Sequence, residues 1–241
     1  MPEPLIHFDH VTFAYTSQRP LLAEVNFELF SGERVGIMGP TGCGKTTFLH
    51  LLVGLLKPHT GTIRAFGRIR RQEKDFYDVR VRAGLMFQDP DDQLFCPTVL
   101  EDVAFGPLNL GMPPQQAEEI SRKTLTALGL EGFEDRITYK LSYGEKHLIA
   151  LATVLAMQPE VLLLDEPTNG LDAEFKQRLI HLLLQLPQAM IIVSHEREFI
   201  DHLATRTVWM TAEGQVMSPH SRESEKIGRN FLTHDESESK A

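Results

Sequence analysis

Polar and hydrophobic positions are arranged in two different ways along this chain. Three early segments, residues 6–15, 25–30 and 62–66, mix β-branched and aromatic residues with polar ones. That mixture is typical of strands in a half-exposed antiparallel sheet. Four segments are short and nearly all apolar: 34–39, 84–87, 161–165 and 190–195. Such runs are typical of parallel strands covered on both faces.

Helical patterns separate the apolar runs, at 45–56, 114–128, 143–157, 172–186 and 196–203. The alternation of strands and helices predicts an α/β core. Residues from about 89 to 158 interrupt the alternation with helices alone, so we expect a helical subdomain inserted into that core. We assign residues 1–217 to one domain. Residues 218–241 have few apolar and many charged side chains, and we predict a flexible charged tail there.

Residues 39–47, GPTGCGKTT, follow a predicted strand, open a predicted helix and match the phosphate-binding loop G-x-x-x-x-G-K-[ST]. Its glycines let backbone N–H groups turn inward around a phosphate at the positive end of the helix. Lys45 supplies a mobile charge to the β- and γ-phosphates, and the Thr46 hydroxyl can ligate Mg²⁺. The predicted ATP-binding residues of this loop are Gly39, Pro40, Thr41, Gly42, Cys43, Gly44, Lys45, Thr46 and Thr47. A glycine-rich turn without a ligand is the alternative.

An acidic pair ends the apolar run VLLLDEP at residues 161–167. Ligands of open α/β sheets bind at the carboxyl ends of the strands. Asp165 is therefore a candidate to hold Mg²⁺ through water, and Glu166 a candidate to take a proton from an attacking water. The alternative is that the two carboxylates cap the next helix.

A third motif, LSYGEK at residues 141–146, begins the predicted helix that precedes the Asp165 strand. Together with the phosphate loop and VLLLDEP, it resembles the ATP-binding-cassette (ABC) ATPases, whose signature is usually LSGGQ. The resemblance extends to about residue 217. It implies a P-loop NTPase fold: a RecA-like parallel-sheet core, an N-terminal antiparallel β subdomain and an inserted helical subdomain.

The resemblance implies further roles, residue by residue. Tyr15 matches the aromatic residue that stacks on adenine, and Gln88 matches the glutamine that contacts Mg²⁺ and the attacking water. Asp172, in NGLD, matches the loop that crosses to a partner subunit, and His195 matches the histidine that contacts the γ-phosphate. Without the other motifs, Tyr15 would be interpreted as a core aromatic and His195 as a strand-end histidine with ordinary partners.

The signature residues, Ser142, Tyr143, Gly144 and Glu145, are expected to complete the ATP site of a second subunit. Tyr143 stands where the first glycine is usual, and Glu145 stands where glutamine is usual. The spacing S-x-x-E is also a capping box at the start of a helix. Both interpretations share one property, because a capped helix start points its N–H groups outward, as a γ-phosphate requires.

Three carboxylates in MFQDPDDQLF, residues 86–95, could form a metal site. The stretch lacks a His or Cys ligand, and Asp is common at turns and helix starts, so Asp89, Asp91 and Asp92 are better explained as a turn around Pro90. This stretch and residues 99–111 resemble the energy-coupling-factor (ECF) subset of ABC ATPases, and LSYGEK with LATVLAM resembles its cobalt and nickel group.

In such importers this region faces the membrane subunits. Four apolar residues would then help form a groove for a helix of a transmembrane subunit: Leu94, Phe95, Val99 and Leu100. The alternative is that they belong to the core of the helical subdomain.

The net charge bears on the kind of partner, and the cysteine content bears on the redox environment. A formal net charge of −9 argues against nucleic acid or an anionic lipid surface as the main partner. The two cysteines, Cys43 and Cys96, lie outside any CxxC spacing, which fits a reducing cytosol. The longest apolar runs are too short to span a bilayer.

The resemblance implies an ATPase at the cytoplasmic face of the membrane. It would use ATP and Mg²⁺, pair with a second cassette (most simply a copy of itself) and energise uptake of cobalt or nickel through separate transmembrane subunits. An ECF vitamin importer would use nearly the same ATPase. Two other classes remain: a soluble ABC protein acting on ribosomes or DNA, and a regulatory protein that binds ATP without turnover.

Overall fold

The fold combines two β-sheets with helices on both sides of the larger one, in a computed structural model that describes residues 2–16 and 19–217. The strands of this part are β1 Ile6–Phe13, β2 Leu22–Leu29, β3 Arg34–Met38, β4 Thr60–Ala65, β5 Arg68–Arg70, β6 Ala83–Met86, β7 Val161–Asp165, β8 Ala189–Val193, β9 Arg206–Met210 and β10 Val216–Met217. Its α-helices are α1 Lys45–Leu52, α2 Tyr77–Arg82, α3 Val99–Asn109, α4 Pro114–Ala127, α5 Tyr143–Leu155, α6 Ala173–Gln185 and α7 Arg197–Leu203. The predicted tail, 218–241, lies outside the described residues.

The smaller sheet is antiparallel, with strand order β2-β1-β4-β5. Its central strand β1 pairs with β2 on one side and β4 on the other. A bulge around His10, whose φ is 49°, interrupts the alternation of buried and exposed residues. The predicted half-exposed antiparallel subdomain is therefore present, although its central strand does not alternate strictly.

The larger sheet has the order β10-β9-β3-β8-β7-β6, and its strands are parallel from β9 to β6. Every residue of β7 and β8 is buried. Leu162 and Leu164 pack into the hydrophobic cluster on one face, whereas Val161 and Leu163 pack into the cluster on the other. Both faces of the sheet are thus covered, as the uninterrupted apolar runs predict.

Three helices, α3, α4 and α5, lie between β6 and β7 and pack on one another. The predicted class, a parallel-sheet core with an antiparallel subdomain and a helical insertion, is confirmed. Helix α3, which contains Gly106 and Pro107, is not among the helices predicted from the sequence. Its capping box of Thr98 and Glu101 is a signal that could have located its start. In the described part of the chain, no helix has the length and apolar character that a membrane span needs.

Gly54, just after α1, lies close to the Phe76 ring, and substitutions of this glycine test that packing. A Cβ atom on Gly54 would lie 2.2 Å from the Phe76 ring, whereas one on Gly32 would meet nothing within 4 Å. Both glycines have left-handed φ values, 75° and 70°. We expect Gly54→Ala to lower the free energy of unfolding by about 2–4 kcal/mol, because it adds a collision to the backbone strain. Gly32→Ala should cost about 1 kcal/mol from strain alone.

Chemical denaturation of the two variants and the wild-type protein measures the difference. Equal losses for Gly54→Ala and Gly32→Ala would contradict the close packing of Phe76 against the end of α1.

Candidate active site

Four neighbouring strands of the larger sheet deliver the predicted site residues to one edge. The phosphate loop follows β3, His195 follows β8, Asp165 ends β7 and Gln88 follows β6. The strands are parallel and adjacent in the order β3-β8-β7-β6, so their carboxyl ends meet. A cleft of about 330 Å³ lies there, and among its lining residues are Lys45, Thr46, Gln88, Glu166 and His195.

The phosphate loop has the backbone that its glycines predict. Gly42 and Gly44 have φ values of 79° and 106°, and Gly44 is the residue immediately before α1. Lys45 Nζ donates hydrogen bonds to the carbonyl oxygens of Gly39, at 2.9 Å, and Pro40, at 3.3 Å. The loop N–H groups and the Lys45 ammonium are therefore concentrated at the N-terminus of one helix, as anion binding requires.

The loop residues do not all face the cleft. Thr41, Gly42, Gly44, Lys45, Thr46 and Thr47 line it. Cys43 is buried instead, and burial raises the pKa of its thiol. Gly39 and Pro40 serve the site through the carbonyl oxygens that hold Lys45.

Glu166 lies at the centre of the cleft. Its Oε2 is 2.8 Å from His195 Nδ1 and accepts the His195 backbone N–H at 3.2 Å, while Oε1 is 3.8 Å from Lys45 Nζ. The residue has a φ of 45°, a strained conformation for a side chain of this size. Helix α6 is capped by Asp172, not by the acidic pair. The contacts of Glu166 are thus with groups of the cleft, and the helix-cap alternative does not apply.

Asp165 is buried beside Glu166, and its Oδ1 has no hydrogen-bond partner among the described residues. Burial raises the pKa of its carboxyl, and a hydrogen bond with Thr46 offsets part of that effect. A buried carboxylate oxygen without a partner, next to a threonine hydroxyl, is a donor set that suits a hard divalent cation.

Tyr15 lies above the phosphate loop, two residues beyond β1. Its hydroxyl is 3.2 Å from Thr47 Oγ1, its ring packs edge-on against Phe13, and 64% of its surface is exposed. The core-aromatic alternative is therefore wrong for Tyr15. Leu21 also lines the cleft. Leu21 was not predicted as a site residue, because a leucine before a strand has no chemical group that indicates binding.

The turn after Gln88 contains the three carboxylates Asp89, Asp91 and Asp92. Asp89 accepts the Asp91 N–H at 3.0 Å, and Asp91 pairs with Lys146 at 2.5 Å. No group of three or more His, Cys, Asp or Glu residues in the described ranges could hold a metal ion. The predicted turn around Pro90 is the structure that forms.

Gln93 was also missed by the sequence analysis. Its side-chain oxygen accepts the Phe87 N–H at 3.1 Å, and its side-chain nitrogen donates to Ala150 O at 2.8 Å and Thr153 Oγ1 at 2.7 Å. It therefore ties the residue before Gln88 to the middle of α5. The sequence feature that could have drawn attention to Gln93 is its position five residues after Gln88.

The signature residues form the predicted capping box at the start of α5. Glu145 N–H donates to Ser142 Oγ at 3.3 Å, and Ser142 N–H donates to Glu145 Oε2 at 2.8 Å. Asp172 caps α6 by accepting the Phe175 N–H at 2.9 Å. Neither Asp172 nor the stretch 142–145 lines the cleft around Lys45. If they serve a nucleotide, it is one bound by another subunit.

Comparisons with known proteins identify the family of this chain. The family model for ABC transporters matches residues 22–169. The chain belongs to the ABC transporter family. It is 42% identical over 219 residues to the energy-coupling factor transporter ATP-binding protein EcfA of Methanothermobacter thermautotrophicus, covering 89% of this chain and 70% of that protein. The predicted likeness to ECF ATPases is thus confirmed.

Two solved structures of ABC ATPases have the same fold. One is cbiO1 of Clostridium perfringens, described as part of the ABC transporter complex cbiONQ, with 31% identity, a TM-score of 0.82 and coverage of 96% of both chains. The other is the dimeric bacterial ABC transporter cassette MJ0796, with 27% identity and a TM-score of 0.78, covering 88% of this chain and 96% of that one. This chain is accordingly an ABC ATPase.

The raised pKa of Asp165 predicts that this residue lowers the stability of this ABC ATPase at pH 7. Because burial raises that pKa above the unfolded value, ionised Asp165 destabilises the fold at pH 7. The cost disappears as the pH falls below the ordinary value of 3.8. We expect Asp165→Asn to raise Tm at pH 7 by about 2–4 °C for each kcal/mol relieved, and the gain to shrink towards pH 4.

Calorimetry without added nucleotide, with a chelator present, measures these Tm values. Asp135→Asn is the matched control, because Asp135 is exposed. A lower Tm for Asp165→Asn at pH 7 would contradict the burial cost.

Proposed function

We propose that this ABC ATPase is the ATP-hydrolysing subunit of an ECF-type importer that takes up a transition-metal ion, cobalt or nickel, through separate transmembrane subunits. The observation that carries the ATPase part is the arrangement of Lys45, Glu166 and His195 in one cleft after adjacent parallel strands. The metal substrate is supported by the likeness of LSYGEK and LATVLAM to the cobalt and nickel group.

In the proposed reaction, Glu166 takes a proton from a water molecule while the water oxygen attacks the γ-phosphorus. The bond between the γ-phosphorus and the β–γ bridging oxygen breaks, and ADP and phosphate leave. His195 orients the Glu166 carboxylate through their 2.8 Å contact. Lys45 and the loop N–H groups neutralise the charge that develops on the phosphate oxygens.

Mg²⁺ would be held by Thr46, Gln88 and Asp165, the last through water. The fit is supported by the unpaired Asp165 Oδ1 beside Thr46 and by the position of Gln88 in the wall of the same cleft. A bound Mg²⁺ supplies positive charge to the β- and γ-phosphates. Tyr15, exposed above the loop, would stack on the adenine.

A second cassette is required in this proposal, most simply a second copy of this chain. In this proposal, the nucleotide bound by the partner is assigned to five residues that do not line the cleft around Lys45: Ser142, Tyr143, Gly144, Glu145 and Asp172. The dimeric structure of MJ0796 is a precedent for such a pair.

The proposed surface for a transmembrane subunit lies on the helical subdomain. Phe95 is 65% exposed, and its ring packs edge-on against Phe105, which is also exposed. Leu108 and Leu110 add exposed apolar surface on and just after the same helix, α3. Such clusters on a soluble domain mark protein contacts. Docking there would place the ATPase at the cytoplasmic face of the membrane.

The groove predicted from sequence needs a correction. Leu94 and Val99 are buried in the hydrophobic cluster of the helical subdomain, so the prediction is wrong for these two residues. Leu100 is half-buried, and Phe95 remains exposed. The physical reason is that both side chains pack into a cluster that also contains apolar residues of α4 and α5, where burial of apolar surface stabilises the fold.

Glu166→Gln tests the proposed chemistry. The amide keeps the shape of the side chain but takes up no proton, so we expect ATP to bind normally and to be hydrolysed about 10²–10⁴-fold more slowly. Single-turnover hydrolysis and the affinity for a fluorescent ATP analogue are the two measurements. Lys45→Ala is the comparison, because it should weaken binding itself. A near-wild-type rate for Glu166→Gln would reject the role of Glu166.

Cellular metal content tests the proposed substrate. Cobalt and nickel are measured by mass spectrometry in the native host under metal limitation, with wild-type protein or Lys45→Ala. A selective fall in one metal would support the importer and identify its ion. No change in either metal, with ATPase activity present in the purified protein, would remove the metal proposal and leave the ATPase intact; vitamin uptake would be measured next.

A further inference from the structure

Two contacts between a glycine and an aromatic ring join the start of α5 to the loop that follows β7 and to the first turn of α6. A Cβ atom on Gly170 would lie 2.7 Å from Tyr143 Cε1, so the tyrosine ring packs against this glycine. In the reverse direction, a Cβ atom on Gly144 would lie 2.6 Å from Phe175 Cγ. Any side chain larger than hydrogen would displace a ring at either position. The first turn of α5 and the loop 169–172 therefore pack directly on each other.

The Tyr143 ring has contacts on other sides as well. Its centroid is 4.6 Å from that of His147, in an edge-on arrangement, and His147 is fully buried. Burial raises the pKa of the Tyr143 hydroxyl, and the nearby carboxylates of Asp89 and Asp91 raise it further. Tyr143 thus lies between the loop 169–172, the body of α5 and the turn that follows Gln88.

Glu196 binds one residue before this loop and one in the helix after it. Thr168 Oγ1 donates to Glu196 Oε1 at 2.8 Å, and Lys176 Nζ, in α6, donates to both carboxylate oxygens at 2.8 and 2.9 Å. Glu196 directly follows His195, so the segments on both sides of the loop are connected to the strand end that carries His195. Gly170, in the middle of the loop, is exposed and has a φ of 71°.

Local hydrogen bonds already restrict this loop, since Asn169 N–H donates to Glu166 O at 3.0 Å and Leu171 N–H donates to Thr168 O at 3.1 Å. Gly170 has the widest backbone freedom in the loop, and the Tyr143 ring adds a contact from another segment of the chain at that residue. The glycine that is usual at position 143 has no side chain with which to make the contact.

We infer that Tyr143 is a positioning residue. Its ring fixes the loop 169–172 against the N-terminus of α5, so that Ser142 and Asp172 approach the nucleotide of a partner subunit as one unit. This inference rests on the proposed function, because it assumes a second cassette. Under this inference, the tyrosine at position 143 has a function of its own and is not merely a tolerated replacement of the usual glycine.

Turnover of purified variants tests the inference. We expect Tyr143→Ala and Tyr143→Gly each to lower kcat roughly tenfold, since small misplacements of reacting groups have effects of this size or larger. Tyr143→Phe keeps the ring and should restore most of the activity lost in Tyr143→Ala. Affinity for a fluorescent ATP analogue should not change in protein dilute enough to be monomeric, because Tyr143 does not line the cleft around Lys45 of its own subunit. Tyr139→Ala, at an exposed tyrosine nearby, should leave kcat unchanged.

A double-mutant cycle with Gly170→Ala separates the contact from general effects on folding. In the wild-type background, Gly170→Ala adds backbone strain and a collision with Tyr143; in the Tyr143→Ala background, only the strain remains. We expect the effect of Gly170→Ala on kcat to be at least about threefold smaller in the second background.

Independent effects of the two substitutions would overturn the inference. So would a Tyr143→Gly variant at least as active as wild type. If the wild-type protein itself hydrolyses no ATP in the presence of Mg²⁺, the proposed function fails. If it hydrolyses ATP and the Tyr143 variants match it, only the positioning role is lost.

Discussion

The parallel pairing of β3, β8, β7 and β6 is the constraint on which the site depends. Ile37 and Asp165 both pair with Val193, and Met86 pairs with Leu164, so these four strands end at the same level. The phosphate loop, His195, Glu166 and Gln88 then follow at one edge. A shift of one residue in the register of β7 would exchange its two buried faces, and both hydrophobic clusters would lose their fit. The core that stabilises the sheet therefore also fixes the distances in the cleft.

The cleft contains groups that a fold selected for stability alone would avoid. Glu166 has a left-handed backbone, and Asp165 is a buried carboxylate with an oxygen that lacks a partner. Each has an energetic cost that the surrounding core must offset. Glu166 N–H is held by Val193 O in the neighbouring strand, which keeps the strained residue in place. The strain directs the Glu166 side chain towards His195 and Lys45, where the proposed chemistry needs it.

Helix α5 connects the cleft to the rest of the helical subdomain. Gln93 joins the residue before Gln88 to the middle of this helix, and Lys146 in its first turn pairs with Asp91. The proposed docking residue Phe95 follows two positions after Gln93. These contacts connect three features of the proposed function within one subdomain: the segment around Gln88, the start of α5 and the segment that carries the exposed aromatic pair.

Much of this protein is determined by local sequence. The phosphate loop, the Asp165–Glu166 strand end and the Ser142–Glu145 capping box follow from backbone chemistry and spacing over a few residues, and buried strands follow from uninterrupted apolar runs. Tertiary structure decided the rest. Whether Leu94 and Val99 face a partner or the core depends on packing with α5, which lies about fifty residues away in sequence. No local sequence pattern predicts that the Tyr143 ring packs against Gly170. The spacing of residue types along the chain predicts secondary structure and local hydrogen bonds, whereas contacts between distant segments depend on how the whole chain packs.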